Sequence, residues 1–242
     1  MKRILSIFTF LCFYVFTSSV TAQSELWITG TAVPGGVQKL NGDGNGGFKF
    51  AGQLKAGELR IQTTKKTGWD TRFLSPVLPD ALIANKGLHY SETSEKGAAA
   101  WQVPFDEDRY RFAIDPMNRM LRGEIFQPWG ELFIAGGATE VGWRCEGRML
   151  PMQQDEDNPC LWTWEGELKR RPENEEPTSF KFQGQDRWSP KSLHPYRQGT
   201  DILKDQQLRT GGEDTKWEVG QDGRYRIAID LFHETVKAEL LK

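Results

Sequence analysis

The sequence predicts an all-β protein: two tandem antiparallel β-sandwich domains that follow an export signal. Three observations lead there. Apolar residues alternate with polar ones over short runs, the period of a strand with one buried face. A pair of strand patterns occurs twice: Glu25-Leu26-Trp27-Ile28-Thr29-Gly30 returns as Glu131-Leu132-Phe133-Ile134-Ala135-Gly136, and Arg109-Tyr110-Arg111-Phe112-Ala113-Ile114-Asp115 returns as Arg224-Tyr225-Arg226-Ile227-Ala228-Ile229-Asp230. No long stretch shows the 3.6-residue apolar period of an amphipathic helix.

The chain begins with basic Met1-Lys2-Arg3, continues with a nearly unbroken apolar run from Ile4 to Phe16, and reaches small residues at Val20-Thr21-Ala22. That is the pattern of a secretory signal peptide over 1–22. The run is too short for a spanning helix, which needs about 20 apolar residues, and no later segment approaches that length. Cys12 falls inside the run without the small residues that lipid attachment requires, so it is expected to leave with the signal.

From there the strands follow in order. Leu26 with Ile28, Phe48 with Phe50, Leu59 with Ile61, and Tyr110 with Phe112 and Ile114 carry the first copy, over 23–127. Gln127-Pro128-Trp129-Gly130 forms a short linker, with Trp129 expected between the modules. The second copy, 128–242, carries Trp162 with Trp164, Phe180 with Phe182, Tyr225 with Ile227 and Ile229, and Val236 with Ala238 and Leu240. Gly, Pro, Asn and Asp separate these runs, as turn chemistry demands. The repeat spacing of roughly a hundred residues is that of a domain, not of a solenoid unit. The second copy also holds an insertion between Val141 and Leu161.

Charge and composition exclude several function classes. The net charge is −2, and the 31 lysines and arginines are scattered, so no basic stripe for nucleic acid exists. Cys145 and Cys160 form an even pair in an exported chain, for which a disulfide is the natural expectation; it would close a loop of about 15 residues and contribute on the order of 3 kcal/mol. Two unpaired thiols are the alternative. With so few cysteines and no nearby histidine pair, a zinc site is not expected, and no other cofactor is implied.

The residues give little support to catalysis. Most carboxylates sit in charged runs such as Asp106-Glu107-Asp108 and Glu173 to Glu176, which read as solvated loops. The three histidines, His89, His194 and His233, are dispersed, and neither a nucleophile elbow nor a phosphate loop occurs. Asn41-Gly42-Asp43-Gly44-Asn45-Gly46 alternates oxygen side chains, but the twelfth position from Asn41, where a calcium loop needs glutamate, is Gly52. A glycine-rich turn is the expectation there.

The nine tryptophans say more, because so large a side chain is seldom fully buried. Trp101 and Trp217 open the same late strand in both copies and are expected in the core, as are Trp162 and Trp164. Trp143, after the first strand of copy two, and Trp188, beyond Phe180-Lys181-Phe182, are candidates for an open face. With both phenylalanines turned inward, Lys181 points outward, and Arg187 adjoins Trp188. Indoles stack on the apolar C–H face of a sugar ring, while a lysine or arginine hydrogen-bonds its hydroxyl rim.

Asp222-Gly223-Arg224-Tyr225 resembles the tyrosine corner of immunoglobulin-like sheets, with Asp108 in the first copy where the second has Gly223. More broadly, the ordered set Glu131 to Gly136, Gly142-Trp143, Trp164-Glu165-Gly166-Glu167-Leu168, Phe180-Lys181-Phe182, Trp188 and Gly223 to Asp230 resembles the modules of the SusE/SusF outer-membrane starch-binding proteins, over nearly the whole mature chain. The resemblance implies immunoglobulin-like, carbohydrate-binding-module-like sandwiches that bind polysaccharide or oligosaccharide, starch or another α-glucan, without catalysis. It also implies placement at the outer membrane, cell surface or periplasm, with other glycan-uptake proteins as partners. By position it implies Trp143, Lys181 and Trp188 as the sugar clamp. In the first copy Arg60 takes the lysine slot and Trp69 the later tryptophan slot, but Val33-Pro34-Gly35-Gly36-Val37 supplies no first tryptophan. That copy is expected to bind weakly or act as a spacer unless Trp27 or the Lys65-Lys66 turn substitutes. A structural or protein-docking module of a cell-surface complex is the rival reading.

Overall fold

The computed structural model describes residues 25–95, 97–170 and 178–241; the segment 1–22, expected to be a signal peptide, and the acidic run Glu173 to Glu176 lie outside them. Every regular element among the described residues is a β-strand. In the first half these are β1 (Trp27–Thr29), β2 (Val37–Lys39), β3 (Asn41–Gly42), β4 (Phe48–Leu54), β5 (Gly57–Gln62), β6 (Phe73–Pro76), β7 (Asn85–Thr93), β8 (Trp101–Val103), β9 (Glu107–Asp115) and β10 (Met120–Ile125). The second half holds β11 (Phe133–Gly136), β12 (Leu150–Pro151), β13 (Gln153–Gln154), β14 (Leu161–Leu168), β15 (Ser179–Gln183), β16 (Ser192–His194), β17 (Thr200–Asp201), β18 (Arg209–Thr210), β19 (Trp217–Glu218), β20 (Gly223–Asp230) and β21 (Thr235–Leu241).

The sequence repeat is a repeat of backbone register. Ile28 opposes Ile61 and Thr29 opposes Arg60 between β1 and β5. Correspondingly, Ile134 opposes Phe182 and Ala135 opposes Lys181 between β11 and β15. Leu59 faces Trp101 in one half and Phe180 faces Trp217 in the other. Because side chains alternate faces, this register buries Ile28, Ile61, Ile134 and Phe182 at 0–1 % exposure and turns Arg60 and Lys181 to the opposite face. Tyr110 and Tyr225 close the same corner: each hydroxyl donates back to a carbonyl, of Phe105 at 3.1 Å and of Gln221 at 2.5 Å, so Asp108 in place of glycine does not prevent the motif.

Each half has its own apolar core. Leu26, Ile28, Phe50, Leu59, Trp101, Tyr110 and Phe112 belong to one; Trp162, Trp164, Phe180, Phe182, Trp217, Tyr225 and Ile227 belong to the other. The layers are joined differently. In the first half β7 pairs β6 through Tyr90–Thr93 and β10 through Asn85–His89, so one nine-residue strand crosses between layers. In the second half the layers are two separate sheets, β12-β11-β15-β16-β18 and β13-β14-β20-β21.

Three expectations meet the structure here. Trp129 does not lie between the halves; it packs in the second core, where its ring lies against Gly184. Phe126 occupies the junction, with the Arg111 guanidinium 4.2 Å from its ring centre and Phe232 at 5.9 Å. The segment 41–46 is a hairpin turn whose Asp43 carboxylate accepts the N–H groups of Asn45 and Gly47. The Cys145–Cys160 disulfide is absent, and both thiols are free. Cys160 immediately precedes β14 and turns into the core, its carbonyl accepting the N–H of Leu231. Cys145 lies half-exposed in the β11–β12 connection, which is tied instead to the loop after β15 through Glu146 and Asp186. The core side of β14 holds one thiol and the β11–β12 connection the other, and they are not bridged.

Candidate glycan-binding cleft

One cleft of about 400 Å³ gathers Trp143, Lys181, Trp188, Ser192, His194, Gly212, Asp214 and Lys216. Its floor is the outer face of β15 and β16. Alternation puts Phe180 and Phe182 into the core at 0 % exposure and leaves Lys181 facing out, where the surrounding loops cover it to 6 %. Trp143 arrives from the β11–β12 connection, just after Gly142, whose φ of +64° favours glycine. Trp188 arrives from the loop after β15. That loop is pinned by Gln185, which donates to the carbonyls of Arg187 and Lys191 at 2.9 Å and accepts the Lys191 N–H at 3.0 Å.

The two indoles stand 5.9 Å apart between ring centres and are tilted by 49°. An ammonium flanks each: Lys181 Nζ lies 5.3 Å from the Trp188 ring centre and Lys216 Nζ 5.7 Å from that of Trp143. Asp214 joins the two cations, accepting from Lys181 at 2.7 Å and from Lys216 at 3.1 Å. Partial burial pushes the Asp214 carboxyl up, but those two ammonium partners outweigh it and hold the group below the usual carboxylate range.

His194 lies beneath, 2 % exposed. A carbonyl only accepts, so the 2.9 Å contact with the Thr215 oxygen places the proton on Nδ1, and Nε2 then accepts the Ser192 hydroxyl at 2.7 Å. Burial, aided by the nearby Lys181 ammonium, holds this imidazole below its ordinary pKa despite the opposing pull of the Thr215 carbonyl, so it is neutral at neutral pH. The loop 211–216 is shaped by Arg209, whose guanidinium donates to the carbonyls of Gly211 and Glu213.

Of the residues singled out in the sequence, Trp143, Lys181 and Trp188 come together. Arg187 does not line the cleft; it sits exposed beside Trp188, contributing its backbone to the loop. In the first half Arg60 is engaged by the Ala98 carbonyl at 2.5 Å and lies 3.5 Å from Glu58, while Trp69 is 95 % exposed on the β5–β6 loop. Arg60 and Trp69 therefore form no comparable cleft. Asp214, Lys216, Ser192 and His194 were not read from the sequence. The one local signal is that Gly211 to Lys216 leads straight into Trp217, the duplicated core tryptophan.

No family model matches the chain, and no curated protein matches it. Among solved structures, SusF from Bacteroides thetaiotaomicron is similar with a TM-score of 0.41 and 13 % identity, covering 90 % of this chain and 48 % of that one. The chain thus spans about half the length of that protein.

Proposed function

We propose that this chain binds a glycan without transforming it, and that the cleft of Trp143, Lys181, Trp188, Asp214 and Lys216 is the principal site. The observation that carries the proposal is the convergence of two indoles, two ammoniums and one carboxylate on a single open cleft. Indole faces offer an apolar surface to pyranose C–H groups, the lysines donate to hydroxyls, and the ionised Asp214 accepts from them. The 49° tilt suits a glucan whose successive rings rotate, as in an α-linked helix, better than a flat β-linked ribbon. Starch or a related α-glucan is accordingly the proposed ligand. An exported protein with this site belongs at the outer membrane, cell surface or periplasm, alongside other components of glycan uptake.

The same geometry argues against hydrolysis. Glycosidases use two carboxyl groups flanking the bond to be cut. The cleft lining holds one, Asp214, and two lysines keep it ionised. Affinity should be modest, in the millimolar to micromolar range, because the platform is shallow and wet: about −4 to −8 kcal/mol. Trp143→Ala or Trp188→Ala is expected to remove about 2 kcal/mol, seen as lost retardation in a starch-containing native gel. Retardation of both variants equal to wild type defeats the site assignment, and reducing ends released from the glucan defeat the binding-only reading.

A different surface favours protein docking as the second reading. Val77 and Leu78, adjacent in the chain after β6, are 61 % and 56 % exposed, and Leu82 and Phe105 of the same half are 45 % and 51 % exposed. Tryptophan fluorescence separates the two: saturation with one class of glucan supports sugar, and silence across α- and β-glucans supports docking.

A further inference from the structure

We propose that the first half carries a second glycan platform, built on Trp27 with Lys39, Lys65 and Glu25, at positions other than those that form the cleft of the second half. The proposal rests on the glycan reading above for its ligand class, a neutral α-glucan. Ile28 is fully buried, so its neighbours Trp27 and Thr29 in β1 turn to the opposite face. Thr29 opposes Arg60, and the register match between Arg60 and Lys181 makes this the counterpart of the cleft-bearing face in the second half. The platform and the principal cleft therefore share a face of the repeated sheet, although no tryptophan stands in the segment 33–37.

Trp27 gathers the same kinds of group that line the cleft. Lys39 Nζ lies 5.8 Å and Lys65 Nζ 5.6 Å from its ring centre. Glu25 accepts from Lys39 at 2.5 Å and also hydrogen-bonds the Trp27 side chain. One indole, two ammoniums and one carboxylate joined to an ammonium repeat the composition of Trp143, Trp188, Lys181, Lys216 and Asp214, less one ring. Lys65 is exposed on the β5–β6 connection. Its loop is tied by the Thr64–Thr71 hydroxyl contact at 2.7 Å, by the Gly68 N–H on the Thr71 hydroxyl at 2.7 Å, and by Gln62, 2 % exposed, donating to the Thr64 carbonyl at 2.8 Å.

With a single indole and with Lys39 and Glu25 about half exposed, this platform stacks one sugar ring and binds more weakly than the cleft. Its value is that a polymer engages both sites of one chain, whereas a short oligosaccharide engages one. Linked sites raise apparent affinity through effective concentration without new contacts.

The test uses the mature chain with two probes, amylopectin in an affinity gel and a linear α-1,4 heptasaccharide in solution. Trp27→Ala and, separately, Lys65→Ala should weaken amylopectin retention by about 10-fold while leaving the tighter heptasaccharide affinity unchanged. The Trp143→Ala/Trp188→Ala double variant should keep a weak heptasaccharide response that adding Trp27→Ala removes. The inference is overturned if both single variants retain amylopectin as wild type does, or if the double variant has no residual binding; in those cases the principal cleft stands. A wild-type chain that binds neither probe overturns the glycan reading and this inference together.

Discussion

At the residue scale, Lys181 shows how a strand side chain of ordinary type becomes specialised by what folds over it. Alternation alone points it outward, where a lysine is normally solvated. The loops bearing Trp188 and Asp214 remove water from it and leave an ammonium directed at one carboxylate and one indole. Asp214 has its pKa lowered on folding, so the stabilisation it contributes is present above the ordinary carboxylate value of about 4 and is lost as pH falls through the lower folded value. The melting-temperature gap between wild type and Asp214→Asn should therefore be constant from neutral pH down to about 5 and close below the usual carboxylate range. The cysteines yield a second prediction. Burial raises the Cys160 thiol's pKa, with Asp230 adding to the rise, and shields it from reagent. Alkylation of the native chain, read by mass spectrometry, should label Cys145 and spare Cys160, and a reducing agent should leave the melting temperature unchanged. Parity and compartment suggested a bridge in the sequence; they carry no information on where in the fold each thiol lies.

Among the elements, the legible strands are those whose alternate residues form an apolar face. β4, β5, β9, β14, β15, β20 and β21 alternate, and the sequence shows them. β7 could not be read, since Leu88 is only partly buried and Tyr90 alone is fully so across nine residues, which erases the period. β16 to β19 are two or three residues long and exist because neighbouring chain pairs with them. The cleft divides along the same line. Trp143, Lys181 and Trp188 occupy slots fixed by strand order and were found; Asp214 and Lys216 are delivered by a loop whose path depends on Arg209 reaching back to its carbonyls, a tertiary event without a local pattern. The glycines ending the first strands test the repeat at this scale. Gly30 has φ +120° and Gly136 φ +152°, and a Cβ would lie 2.3 Å from the Glu58 carbonyl oxygen or 2.4 Å from the Phe180 Cα. Gly136→Ala should cost about 2 kcal/mol or more by denaturant unfolding, with Gly30→Ala similar.

Across the whole molecule, the halves meet around Glu234, a carboxylate that the repeat does not duplicate: the first copy has Arg119 at that position. Glu234 accepts from Lys49 at 2.6 Å and from the Thr210 N–H at 3.0 Å, with Arg111 at 3.7 Å; Arg111 also donates to the Leu231 carbonyl at 2.8 Å. Burial pushes the Glu234 carboxyl up, but Lys49 and Arg111 outweigh it and leave it below its ordinary value. Removing that charge leaves Lys49 without its carboxylate at a largely buried junction, while Arg111 keeps Glu124 at 2.5 Å, so Glu234→Gln should lose about 3 kcal/mol and split the calorimetric transition in two. Glu234 sits at φ +51°, in the turn after Asp230; the turn after Asp115 has the same left-handed position, at φ +48°, and fills it with Arg119. Opposite charges on matching hairpins give the pair a head and a tail. A first half offered Lys49 and Arg111 by another first half would meet them with the Arg119 guanidinium, so two first halves set in tandem would repel where the native pair attracts.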